Sequence, residues 1–172
     1  MKVVYMGTPD FAVKPLEALI ANNYEVVGVF TQPDKPVGRK AVLTAPPVKV
    51  VAENNNIPVF QPETLKNGVG VEILRDLNPD VVIVLGDRYE LLPICSTAFM
   101  LQIPIAHLSG GDVTEGALDD GVRNAVTMLS TFHFPITEDC AKNIRRMRGN
   151  SDNIYVTGST SLDLFNRTDL MT

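Results

Sequence analysis

Short apolar runs alternate with amphipathic stretches along this chain, the pattern of strands buried in a parallel sheet with helices on its faces. Val3–Met6 is a compact apolar run, and Gly7 begins a turn. Leu16, Leu19 and Ile20 share one face of a helix predicted over Pro15–Ala21. Pro15 falls in its first turn, where a missing N–H removes no helical bond. Asn22-Asn23 ends that helix, and Glu25–Phe30 reads as a buried strand. Gln32–Thr44 is polar and proline-bearing, so a loop is expected. Thr44 is placed to cap a helix whose first turn holds Pro46 and Pro47. That helix fades into Asn54–Asn56 before a short strand at Pro58–Phe60.

The second half repeats the rhythm. Helices are predicted at Val71–Leu77, Leu91–Leu101, Leu118–Leu129 and Glu138–Met147. Strands are predicted at Val81–Leu85, Ile103–His107, Phe132–Ile136 and Ile154–Thr157. Strands separated by helices imply a parallel sheet with right-handed crossovers. The expected fold is α/β: a single Rossmann-like three-layer αβα domain over residues 1–172, with a parallel sheet of about seven strands in the order 3-2-1-4-5-6-7. Ligands of such a sheet bind at strand C-terminal ends where the order reverses, here around Gly7, Gly86 and His107.

Composition narrows the function classes. With 20 acidic and 15 basic residues, the balance argues against a dedicated nucleic-acid binder. Cys95 and Cys140 form no CxxC motif, and Cys95 sits in an apolar helical run suited to a buried thiol. Sparse cysteine fits a cytoplasmic location. Met1-Lys2 leads straight into a strand-like run, so no signal peptide is expected. No apolar stretch approaches the roughly 20 residues that span a bilayer. His133 lies between two phenylalanines and reads as structural, and no Cys or His cluster suggests a metal. Lys142, Arg145, Arg146 and Arg148 read as a solvated helix face.

Three ordered strings carry a resemblance in the first half: Val4-Tyr-Met-Gly-Thr-Pro-Asp-Phe-Ala-Val13, Thr31-Gln-Pro-Asp-Lys-Pro-Val-Gly-Arg39 and Pro58-Val-Phe-Gln-Pro-Glu63. Residues 1 to about 67 resemble methionyl-tRNA formyltransferase, in the first part of its catalytic domain. The resemblance implies that Lys35, Arg39 and Lys40 face a tRNA acceptor arm; the other reading is a solvated basic loop. Gly7 serves either a tight turn or a phosphate cradle. Formyl transfer in that family uses Asn, His and Asp. Here Ile105-Ala-His-Leu-Ser-Gly-Gly111 keeps His107 and Ser109 in register, but Ile105 replaces the amide donor. The folate loop has no counterpart, so formyl transfer is not expected.

The second half carries another set: Leu85-Gly-Asp-Arg-Tyr-Glu90, Ile103-Pro-Ile-Ala-His107, Gly110-Gly-Asp-Val-Thr-Glu-Gly-Ala-Leu-Asp-Asp120 and Val156-Thr-Gly-Ser159. Residues 79 to about 163 resemble the first domain of hydrolysing UDP-N-acetylglucosamine 2-epimerases, in the sialic-acid-pathway branch. The implied reaction takes the sugar C2 proton, breaks the bond to UDP to give a glycal, and adds water to release N-acetylmannosamine. Carboxylates on both faces of a pyranose suit that chemistry. Asp87, Asp112 and Asp119 or Asp120 are the candidates, with Asp120 preferred and His107 as proton shuttle or sugar orienter. Gly7, Thr8, Arg88, Ser109, Gly110 and Gly111 are candidate substrate contacts, with a UDP-sugar or nucleotide as the ligand. No cofactor is implied.

Three departures count against native turnover. Pro9 stands where the epimerases have a substrate-holding arginine, and Asn124 follows Arg123 where that branch has histidine. The sequence also ends at Thr172, where the resemblance places a second, UDP-gripping domain. The expectation is a chimera, engineered or recombined, with halves 1 to about 75 and about 76 to 172 joined near residues 68–80. Its rivals are a residual or partner-dependent 2-epimerase and a tRNA- or nucleotide-binding module, tRNA being the less expected partner. Surfaces newly apposed at the join are expected to favour self-association.

Overall fold

The first half contributes three parallel strands and two helices. In the computed structural model, which describes residues 1–38, 41–63, 68–114 and 118–163, β1 (Lys2–Met6) leads through a 3-10 turn, Asp10–Ala12, into α1 (Val13–Ala21). β2 (Glu25–Phe30) follows, then a two-stranded antiparallel ribbon of β3 (Lys35–Val37) and β4 (Val42–Thr44). α2 (Pro47–Asn54) and β5 (Val59–Phe60) complete this half.

The second half adds α3 (Val69–Leu77), β6 (Val81–Leu85), α4 (Leu91–Met100), β7 (Ile105–Leu108), α5 (Leu118–Leu129), β8 (Phe132–Phe134) and α6 (Glu138–Arg148). The main sheet has six parallel strands in the order β5-β2-β1-β6-β7-β8. Counted along the main sheet, that order is 3-2-1-4-5-6, as the alternation predicts.

Alternating side chains divide the core between two faces. Val4 and Met6 of β1 point with Val82 and Val84 of β6 toward α3, α4 and α5, meeting Leu74, Ile94 and Val126. Tyr5 and Val29 point the other way, onto Leu16 of α1 and Val48 and Ala52 of α2. Leu16, Leu74 and Ile94 are wholly buried, each contributing about 1.5–3 kcal/mol relative to exposure. Burial also pushes the Cys95 thiol up to about 12, so it packs as an inert apolar group.

The two halves meet inside this sheet, not across a linker. β1 pairs with β6 from Val3↔Val81 to Met6↔Val84. Asp80 bonds the chain start twice: its carboxylate accepts the Lys2 N–H at 2.7 Å, and its own N–H donates to the Lys2 carbonyl at 2.9 Å. Gly28 of β2 lies under Phe60 and Leu77, where a Cβ would stand 2.7 and 2.9 Å from those side chains. A residue of one half thus leaves room for α3 at the join.

Three expectations change. The strand expected at Ile154–Thr157 reduces to one parallel bridge, Ile154 to His133. That segment still lies along β8 through Asn153 O, Tyr155 N and Thr157 N, at 2.8, 2.9 and 3.1 Å. Part of the loop expected at 32–44 is the β3–β4 ribbon, missed because its six residues are all exposed and carry no alternation. Thr44 does not cap α2: its hydroxyl donates to the Val42 carbonyl at 2.9 Å, and Pro46 occupies the cap position. Among the described residues, no helix is long and apolar enough to cross a membrane.

Candidate functional site

A crevice of ≈ 520 Å³ opens at the C-terminal ends of β1, β2 and β6, where the strand order reverses. Met6, Phe30, Leu85 and Leu91 line its apolar depth. The first half contributes Gly7, Thr8, Thr31, Gln32 and Lys35; the second contributes Asp87, Arg88, Tyr89 and Glu90.

A polar bridge crosses between the halves at its rim. Gln32 Nε2 donates to Glu90 Oε1 at 2.9 Å, and Arg88 donates to both Glu90 oxygens at 2.9 and 3.2 Å. Burial pushes the Glu90 carboxyl up, but the bonds from Arg88 and Gln32 outweigh it and hold the group below the usual carboxylate range. Lys35 Nζ donates to Gln32 Oε1 at 2.9 Å. Behind this loop Lys49 bonds both oxygens of Asp34, at 2.9 and 2.8 Å. Gln61 Nε2 donates to Asp34 Oδ1 at 2.8 Å and to the Gln32 carbonyl at 2.6 Å. Gln61 and Lys49 together hold the Asp34 carboxyl below its usual range.

Beside the crevice, Arg123 of α5 gathers the acidic candidates. Arg123 is 5 % exposed, and its guanidinium donates to the Asp87 carboxylate, the Asp112 carbonyl at 2.9 Å, Thr114 Oγ1 at 3.2 Å and Asp120 Oδ1 at 3.5 Å. Asp120 also accepts from the Thr114 N–H and from Asn124 Nδ2, both at 3.2 Å. The Asp112 carboxylate turns back to its neighbour, accepting the Val113 N–H at 2.9 Å.

His107 is fully buried, and both ring nitrogens are used. Nε2 lies 2.8 Å from the Gly86 carbonyl, which can only accept, so the proton sits on Nε2. Nδ1 then accepts from the Thr127 hydroxyl at 3.2 Å. Burial lowers its pKa to about 4, and the imidazole is neutral at physiological pH. The following turn is packed shut. A Cβ on Gly110 would stand 2.9 Å from His107 Nδ1, and one on Gly111 would overlap the Cys140 carbonyl oxygen of α6. Ser109 has a left-handed φ of 63° and bonds the Phe134 carbonyl through its N–H at 3.0 Å.

The structure therefore brings Gly7, Thr8, Lys35, Asp87 and Arg88 to one crevice. It joins Asp87 and Asp120 through Arg123. His107, Gly110 and Gly111 pack behind that crevice instead of lining it. Arg39 and Lys40 lie outside the described residues. Arg123, Gln32 and Glu90 were not singled out from sequence. For Arg123 the signal was present: it adjoins Val122 and precedes Val126 and Thr127 on the inward face of α5. Among the described residues, no group of three or more His, Cys, Asp or Glu side chains is arranged to hold a metal ion.

Comparison with known proteins finds two families, whose matches overlap over residues 69–95. The formyl transferase family model matches residues 1–95, and the UDP-N-acetylglucosamine 2-epimerase model matches residues 69–171. The methionyl-tRNA formyltransferase of Herpetosiphon aurantiacus is 60% identical over 84 residues, 49% of this chain and 28% of that protein. Its counterpart in Kosmotoga olearia is 53% identical over 86 residues, 50% of this chain and 28% of the relative. Solved structures resemble the whole fold. UDP-GlcNAc 2-epimerase from Neisseria meningitidis bound to UDP-GlcNAc covers 99% of this chain at TM-score 0.71 and 22% identity. The Rickettsia bellii enzyme covers 100% at TM-score 0.72 and 17% identity. This chain spans 51% and 49% of those two proteins. At such identities the likeness is one of fold. The chain belongs to two families, the formyl transferases by its residues 1–95 and the UDP-N-acetylglucosamine 2-epimerases by its residues 69–171.

Proposed function

We propose that this chain is a chimeric αβα scaffold, engineered or recombined near residues 68–80, that offers a ligand crevice for a UDP-sugar or nucleotide without the native turnover of either parent. In this reading residues 1–172 form one domain with its halves meeting near residue 75. One observation carries it: His107, the residue common to both parental patterns, has both nitrogens engaged within the core. It has no nitrogen left to take or give a proton at a reacting atom. Ile105, 1 % exposed at the position of the formyltransferase amide, offers no hydrogen bond to an oxyanion. Incubation at high protein concentration with UDP-GlcNAc, followed by proton NMR, should show no N-acetylmannosamine above buffer. The same holds for transfer from a formyl-folate donor to methionyl-tRNA. Stoichiometric excess of either product would overturn the proposal.

Arg123 supports a second reading, a residual or partner-dependent 2-epimerase. It sets Asp87 and Asp120 on one guanidinium, an arrangement that could place two carboxylates beside a pyranose. Turnover abolished by Asp87→Asn would establish it. A tRNA-binding role is weaker, since Lys35 turns to Gln32 within the crevice. A cytoplasmic setting fits two free, buried cysteines. Self-association belongs to the same proposal, with Phe99 and Met100 of α4 54% and 78% exposed.

A further inference from the structure

The switch-point crevice has the position of a nucleotide site but not the chemistry of a phosphate site. A phosphate needs free backbone N–H groups, a helix N-terminus without acidic side chains, and unpaired cations. Both glycine amides are already used: Gly7 N–H donates to the Phe30 carbonyl at 3.2 Å and Gly86 N–H to the Leu108 carbonyl at 3.1 Å. Gly7 answers to packing, because a Cβ there would stand 2.8 Å from Ala12 Cβ and 3.0 Å from the Tyr5 ring.

The helix starts at the crevice point the same way. The 3-10 turn into α1 opens with Pro9, which has no N–H, and Asp10. α4 opens on Glu90 at its cap position and carries Pro93 in its first turn. The Leu91 and Leu92 N–H groups close onto Arg88 and Tyr89 carbonyls at 2.9 and 3.2 Å. Arg88 is paired with Glu90, and among the described residues Lys35, bonded to Gln32, is the other cation lining the crevice, together with the acids Glu63, Asp87 and Glu90.

The remaining surface favours a flat ring. Phe11 and Pro33 line the walls, and Tyr89 stands at the rim with 63% of its surface exposed, free to stack. Glu90 and Gln32, bonded to each other across the rim, keep a carboxylate lone pair and a second amide N–H for the edge of a ring.

We infer that the crevice takes an uncharged planar heteroaromatic group, a nucleobase or nucleoside, and discriminates against its phosphate esters. The inference rests on the reading that this crevice is the ligand site, and it names the part of a nucleotide that the site recognises. Calorimetric titration of the full chain with uridine, UMP and UDP tests it. Uridine should bind at least as tightly as UDP. UDP affinity should hold or rise as salt goes from about 50 to about 300 mM, because screening relieves repulsion. Tyr89→Ala, an exposed substitution, should weaken uridine and UDP alike by about tenfold. Glu90→Gln removes the carboxylate charge at the rim and should raise UDP affinity relative to uridine by about fivefold. UDP binding tighter than uridine by tenfold or more, and weakened by salt, would overturn the inference while leaving the crevice a ligand site. Absence of binding by all three would remove both.

Discussion

Gly111 carries two constraints at once. Its φ is +79°, and a Cβ there would meet the Cys140 backbone and Ile144 of α6. Gly121, inside α5, has nothing within 4 Å of the equivalent atom. The two glycines should therefore answer oppositely to alanine. Gly111→Ala is expected to cost at least ~2 kcal/mol, and Gly121→Ala to add up to about 1 kcal/mol through helix propensity. Thermal unfolding of both variants checks the pair, and equal shifts would show that α6 does not press on this turn. The motif around Gly110 and Gly111 was legible in the sequence, but its purpose was not. Glycine permits either ligand approach or backbone approach, and the helix packing on it arrives from Cys140 and Ile144, far along the chain. His107 shows the same limit, since its partners Gly86 and Thr127 lie on two other elements.

At the scale of elements, β7 and β8 place two histidines side by side, His107 paired in register with His133. Both are wholly buried, and both pKa values are lowered to about 4, in each case first by burial. For His133, Arg148 and His107 add to the effect, and neither ring nitrogen has a hydrogen-bond partner among the described residues. Below about pH 6.5 the unfolded chain takes up protons that the folded chain refuses until about pH 4. Stability should be complete above that window and fall as pH drops through it, by about 1.4 kcal/mol per unit for each histidine. Against a typical domain stability of about 5–15 kcal/mol, this loss is large. Urea midpoints followed from pH 7 to about pH 4 should show it, and His133→Leu should roughly halve the slope. A slope unchanged in that variant would exclude His133. Strands such as β6 were legible because five apolar residues in a row have one good place, the centre of a sheet. The β3–β4 ribbon was not, since exposed Lys-Pro-Val and Val-Leu-Thr differ little from a loop.

For the whole molecule, the join is a strand pair and not a hinge. β1 is held by β2 on one side and β6 on the other, so neither half has a complete sheet without its neighbour. One cooperative transition is therefore expected, with circular dichroism and tyrosine fluorescence coinciding. Tyr5 and Tyr24 report from one half and Tyr89 and Tyr155 from the other, with no tryptophan to dominate. Separate transitions would show that the halves fold independently. Raising protein concentration about tenfold in the same experiment reads self-association as a higher midpoint, and an unmoved midpoint would remove it. The margins of the sheet limit what form such association can take. β5 offers two residues of edge, and residues 153–157 already occupy the far side of β8. A neighbouring molecule therefore meets a two-residue edge at β5 and, on the other border, the outer side of residues 153–157. Among the described residues, growth by strand addition would have to begin there or on the exposed β3–β4 ribbon, and other assembly would use side chains on the helical faces.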